Sequence, residues 1–244
     1  MPERASATVC PRSEFFQRLL EITDTTVLGP VLPSLAMKKL WDISPPVDVG
    51  SPVFPGDTPY QQRWAARIGQ DCPVNVSAIT LSPHVGAHAD APLHYDPQGQ
   101  AVGALPLATF LGPCRVVHAL DAGALVRMDH LAHALQNLPP RLLVRTCARM
   151  PQNHFDAQLC AFDPELVHSL AARGLQLLGT DSASIDPADS KTLPSHQAVH
   201  AHGLRVLENL CLDDVPEGDY ELIALPLKLM TADASPVRAV LREL

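Results

Sequence analysis

Between His84 and His94 the chain reads HVGAHADAPLH, which sets three imidazoles and one carboxylate into a short stretch that carries no other charge. Neutral imidazole nitrogen and carboxylate oxygen are the donors that zinc, manganese and iron(II) accept, and gathering them in one segment costs little chain entropy. A histidine-rich surface loop is ordinarily diluted with Lys, Glu, Ser or Gln. Here the intervening residues include Gly86, three alanines, Pro92 and Leu93, which suit a packed and tightly bent backbone. The segment therefore predicts a metal site, and the fold must bring further donors to it from elsewhere in the chain.

His84 and His88 stand at i and i+4, the spacing of the zinc-protease helix, but Val85 occupies the position where that signature needs its catalytic Glu. With Gly86 inside the stretch and Pro92 just after it, an extended or looped course is predicted. His88 and Asp90 then point the same way, at the period of two of an extended chain. Further donors lie in the second half, where GTDSASIDPADSKTLPSHQAVHAHGLRVLENL holds His196, His200, His202 and Glu208. Ala198 to His202 reads as a short helical turn stopped by Gly203. RVLENL reads as a strand whose one acid, Glu208, sits among Val206, Leu207 and Leu210. A bare buried carboxylate is very costly, so Glu208 is either a metal ligand or half of a buried salt bridge. By ligand chemistry alone, His196, His200 and His202 compete evenly for the metal.

HVGAHADAPLHYD, followed by DSKTLPSH and then LENL, resembles the bacterial kynurenine formamidases, a branch of the metal-dependent cyclase-like hydrolases. The resemblance runs from Met37 to Leu244 through LWDISPPV and FPGDTPY, and the twelve-residue step from His196 to Glu208 favours the formamidase branch. It implies that His84, His88 and Asp90 hold one zinc, that Asp90 and Glu208 bridge to a second, and that His196 completes that second site. His94 is then the acid/base residue. The bridging roles agree with the chemistry, because only a carboxylate offers two oxygens to two cations, and Asp90 and Glu208 are read as the only acids near the clustered histidines. Phe54 stands where many relatives carry a Trp lining the substrate pocket; it keeps an aromatic face and gives up the indole N–H.

The same resemblance implies hydrolysis of N-formyl-L-kynurenine to L-kynurenine and formate, two zinc ions per subunit with manganese as the substitute, and a homodimer. Phe54, with Trp64 or Tyr60 beside it, is expected to face the aryl ring, and the Asp181 to Ser190 loop to shape the pocket. Other chemistry would suit a cluster of this kind: opening of an isatin-like lactam, a mononuclear iron oxygenase, or a metal-binding module without catalysis. The free His94 speaks against the last.

At 244 residues and 46% hydrophobic the chain can bury a full core as one domain. A net charge of -8 without any basic stripe excludes a nucleic-acid surface. The six cysteines form neither a CxxC pair nor a disulfide scaffold, and no apolar run is long enough to span a membrane, so a cytoplasmic protein is expected. Residues 1–36 match nothing in the family pattern; they are expected to be a loosely attached extension, or to precede a physiological start at Met37.

Strands are predicted at 40–43, 76–81, 114–120, 142–146, 175–180, 205–210, 221–227 and 238–241, and helices at 129–137 and 163–173, the latter opened by Asp163-Pro164-Glu165 and closed by Gly174. Many strands with few helices predict a mixed, barrel-like α/β sheet, and the resemblance implies a swivelling β/β/α-type single domain. His118 is read as a core residue with satisfied hydrogen bonds; His130, His133, His154 and His168 as surface positions; His200 and His202 as residues orienting a ligand.

Overall fold

A computed structural model describes residues 38–244; the expectations for residues 1–36 lie outside it. In chain order the strands are β1 (Leu40–Asp42), β2 (Gln61–Ala66), β3 (Val76–Thr80), β4 (His88–Asp90), β5 (Leu111–His118), β6 (Leu125–Val126), β7 (Arg141–Arg145), β8 (Ala161–Phe162), β9 (Leu177–Thr180), β10 (Arg205–Glu208), β11 (Gly218–Ile223), β12 (Ala234–Pro236) and β13 (Val240–Glu243). The helices are α1 (Met128–Leu131), α2 (Pro164–Ala172) and α3 (Pro194–Ala201). Nine strands form one mixed sheet in the order β1-β13-β11-β5-β7-β9-β10-β4-β12. The run β5-β7-β9-β10 is parallel and both flanks are antiparallel, and the sheet curls into a half-barrel.

Burial on both faces explains why the central strands read as continuous apolar runs. Side chains alternate between two cores. Leu142, Val144, Leu178 and Val206 face α2 and α3, packing on Leu166, Val167, Leu170 and Val199. Leu143, Leu177 and Leu207 face the opposite way, toward Phe110, Tyr220 and Leu222. The mixed α/β, barrel-like architecture read from the sequence is the one observed.

Helix α2 forms for the expected reasons. The Asp163 carboxylate accepts the Glu165 N–H at 3.0 Å, Pro164 takes the first helical position, and Gly174 closes the helix at φ 89°. Three expectations need correction. The helix expected over 129–137 is a single turn, α1, followed by a 3-10 turn at Ala132–Ala134, because Asn137 takes a left-handed φ of 50° ahead of two prolines. The turn expected at Ala198 to His202 is the end of α3, which starts at Pro194; Gly203, at φ 65°, is its stop as expected. The last two expected strands are displaced by two to four residues, since the ladder with β5 and β13 decides their bounds. Strands β2, β6, β8 and β12 were not anticipated: β2 is a mostly exposed ribbon, β6 and β8 are two-residue strands that pair with each other, and β12 is three residues held by β4.

Candidate metal centre

Strand β4 lies between β10 and β12, which fixes where its two polar side chains, His88 and Asp90, emerge. The register sets Glu208 opposite His88 and Val206 opposite Asp90 on one side, with Pro236 and Ala234 opposite them on the other. His88 and Asp90 emerge on one face as the alternation requires, and Ala89 between them enters the core. Helix α3 delivers His196 to the same point. His196 Nε2 stands 3.4 Å from Asp90 Oδ2 and 3.5 Å from Glu208 Oε1. His88 Nε2 lies 3.4 Å from Asp90 Oδ1 and 3.5 Å from Glu208 Oε2, and His84 Nδ1 lies 3.2 Å from Asp90 Oδ1. Three groups of donors result: His84-His88-Asp90 and Asp90-His196-Glu208, which share Asp90, and His84-His94-Asp233.

Residues 41–187 match the family described as Putative cyclase. Over nearly their full lengths the chain is similar to curated kynurenine formamidases: that of Paracidovorax citrulli is 66% identical over 209 residues, covering 84% of this chain and 97% of the relative. That of Bordetella pertussis is 62% identical over 208 residues, covering 85% and 100%. The chain belongs to the kynurenine formamidase branch of the cyclase family. Among solved structures, a predicted metal-dependent hydrolase from Bacillus stearothermophilus superposes with a TM-score of 0.73 at 27% identity, over 86% of this chain and 100% of the other. Isatin hydrolase A from Labrenzia aggregata shares the fold, with a TM-score of 0.69 at 21% identity over 84% and 93%.

The donor set of this cyclase-family chain fits a cation. Four polar atoms, His88 Nε2, Asp90 Oδ1, Asp90 Oδ2 and His196 Nε2, are buried without a hydrogen-bond partner among the described residues. Two buried carboxylates and two imidazoles converging on their own lone pairs would be strongly unfavourable without positive charge between them. Neighbours fix which imidazole nitrogen faces inward. His88 Nδ1 donates to the Gly86 carbonyl at 2.9 Å and His196 Nδ1 to Asp186 Oδ2 at 2.7 Å, so the Nε2 lone pair of each ring points to the centre. Glu208 Oε1 accepts the Ile185 N–H at 2.8 Å.

In the metal-free chain protons supply that positive charge. Burial works against an imidazolium at His196, yet the carboxylates of Asp186, Asp90 and Glu208 outweigh it and raise its pKa well above the usual range. Burial likewise opposes charge at His84, and Asp233 and Asp90 raise its pKa to about 10. Burial would raise Asp90; the imidazoles of His196, His84 and His88 hold it well below the carboxylate range.

The centre opens into a cavity of about 620 Å³ lined by the Pro45–Asp57 loop, by the loop carrying Phe155, and by Asp181 to Ser190 as expected. Phe54 lines this cavity, its ring meeting Phe155 edge-to-face at 4.9 Å. His94 lies beside the centre, its ring 4.3 Å from that of His84 and 6.0 Å from that of His196. Trp64 and Tyr60 do not line the cavity: Trp64 is exposed on β2 beneath Arg67, and Tyr60 borders a separate groove. His200 and His202 point elsewhere, to Asp96 and to His168, because one helical turn separates His200 from His196 and the sheet receives only the latter. His118 bonds the Val215 carbonyl at 2.9 Å.

Two acids join the site that sequence reading missed. Asp186 orients His196, and Asp233 bonds both His84 and His94. The expectation that Asp90 and Glu208 are the only acids near the histidines is corrected. Asp186 lies in a loop with no periodicity, and Asp233 reaches the site through β12 pairing with β4, so neither carried a local signal.

Proposed function

We propose that this chain hydrolyses N-formyl-L-kynurenine to L-kynurenine and formate. The observation that carries the reading is the buried convergence of His88, Asp90 and His196 on partnerless atoms, in a chain whose match covers 97% and 99% of two curated kynurenine formamidases. His84, His88 and Asp90 would hold one zinc, and Asp90, Glu208 and His196 a second, with the two carboxylates shared. The two donor groups that share Asp90, and the two Glu208 oxygens that face different histidines, support this assignment. Bound metal supplies acidified water at neutral pH and stabilisation of developing negative charge.

The protein's own residues do the rest. His94, beside the ligands and a third exposed, takes a proton and delivers it to the departing arylamine nitrogen. Phe54 and Phe155 offer apolar faces to the aryl ring, and the walls around Pro45 to Asp57 limit bulk water. The catalytic unit is residues 37–244. A homodimer is part of the reading: the β2-β3 hairpin stands apart from the main sheet with Trp64, Val76 and Ile79 exposed, and a lone two-stranded hairpin gains stability by packing against a partner. None of the described helices is long and apolar enough to cross a membrane.

The test is hydrolysis of N-formyl-L-kynurenine, N-formylanthranilate and isatin by metal-loaded protein, with metal counted on the same sample. Turnover of the formamides with about two zinc per chain is expected. Turnover of isatin alone would overturn the substrate.

A further inference from the structure

A neutral imidazole carries one N–H, and the partner of that N–H decides which ring nitrogen keeps a lone pair. His84 and His94 need opposite choices. His84 faces Asp90 with Nδ1, at 3.2 Å, so its proton must sit on Nε2 for Nδ1 to serve as a donor to a cation. His94 must keep a lone pair on the nitrogen that faces substrate. One oxygen meets both demands. Asp233 Oδ2 lies 2.9 Å from His84 Nε2 and 3.3 Å from His94 Nδ1.

We infer that Asp233 is a positioning residue that sets complementary tautomers in the two rings, Nε2–H in His84 and Nδ1–H in His94, through a single carboxylate oxygen. This rests on the proposed roles of His84 as a ligand and His94 as the proton carrier. Two features make Asp233 fit for the task. Its backbone carbonyl accepts the Ala91 N–H at 2.8 Å, continuing the β12-β4 ladder, so the residue is held to the same strand that carries His88 and Asp90. Its carboxylate, like any carboxylate of ordinary pKa, is ionised at neutral pH. An ionised carboxylate can only accept, so both rings must donate to it. His94 Nε2 is thereby left as the base, and the close ring contact with His84 keeps it beside the centre.

The side chain is 41% exposed, so replacing it leaves the cores intact. The test combines tautomer and rate on metal-loaded protein. With 15N-histidine labelling at about pH 8.5, and the His94 resonances identified from His94→Gln, the parent protein is expected to show His94 protonated at Nδ1. Asp233→Ala is expected to shift it toward the Nε2–H form that free imidazole prefers. Turnover of the formamide should fall about tenfold to a hundredfold with KM within about twofold, the mark of a proton-transfer defect. In a His94→Ala background, with metal kept saturating, the Asp233 substitution should cost no further turnover, since its effect on proton transfer passes through the His94 ring. Metal affinity should weaken about tenfold through His84. An unchanged His94 tautomer in Asp233→Ala, or losses that multiply in the double variant, overturns the inference. Failure of the parent protein to hydrolyse the formamide would instead sink the proposed substrate, while the tautomer measurement still decides the role of Asp233.

Discussion

The Nδ1 atom of His196 stands 2.7 Å from Oδ2 of Asp186, a carboxylate ten residues earlier in the chain. The same carboxylate accepts the backbone N–H groups of Ser195 and His196 at 2.9 and 3.0 Å, so it closes the start of α3 and aims the ring that α3 carries. Asp186→Asn is expected to weaken metal binding at the His196 group by about tenfold to a hundredfold, the usual worth of a partner that orients a histidine ligand. Chelator competition reads the affinity. Unaltered affinity would leave Asp186 only its helix-capping role.

Asp90 is fully buried at the point the two donor groups share. Asp90→Asn removes a charge both groups need and is expected to lower metal content from about two ions to below one per chain. Glu208→Gln should behave similarly, because losing either shared acid exposes two close cations to mutual repulsion. Elemental analysis that still finds two ions in Asp90→Asn would show that Asp90 is not a bridge.

His94 separates ligand from acid/base roles. His94→Ala is expected to keep both metals and the fold while turnover drops about a hundredfold to ten-thousandfold, the range for a positioned acid/base group. Zinc and turnover are measured on one preparation. Loss of metal in step with activity would make His94 a ligand.

Metal-free protein has an unusual pH response. His84 is raised from the ordinary 6.5 to about 10 against the opposing effect of burial, and His196 is raised in the same sense. A folded-state pKa above the unfolded one adds stability that is complete below about 6.5 and disappears as pH climbs toward about 10. The Tm of chelator-treated protein is therefore expected to fall across that window. Metal reverses the sign, because ligands must lose their protons to bind, so the Tm of loaded protein should rise between about pH 6 and 8. A flat or rising Tm for the metal-free protein would be incompatible with protonated ligands.

Much of the site was legible because its chemistry is concentrated in short segments. The period of two placed His88 and Asp90 on one face, and β4 is extended as read. Glu208, an acid inside an apolar strand, announced a paired or metal-bound carboxylate, and it lies with His88 and His196. Choosing among His196, His200 and His202 needed the family register, since their spacing alone is symmetric; the fold brings His196 inward and leaves His200 against Asp96.

The sequence by itself determined the donor side chains, the alternating strands and the N-cap of α2, because side-chain type and local periodicity act over a few residues. Only the tertiary structure decided which acids complete the centre and which nitrogen each histidine turns toward it. Asp233 is 149 residues from His84 and 139 from His94, and its place depends on β12 adding to the edge of β4 in one register. A shift of one residue in that ladder would turn the strand's side chains to the other face, so a contact of this kind is a property of strand pairing across the whole sheet and of no single segment.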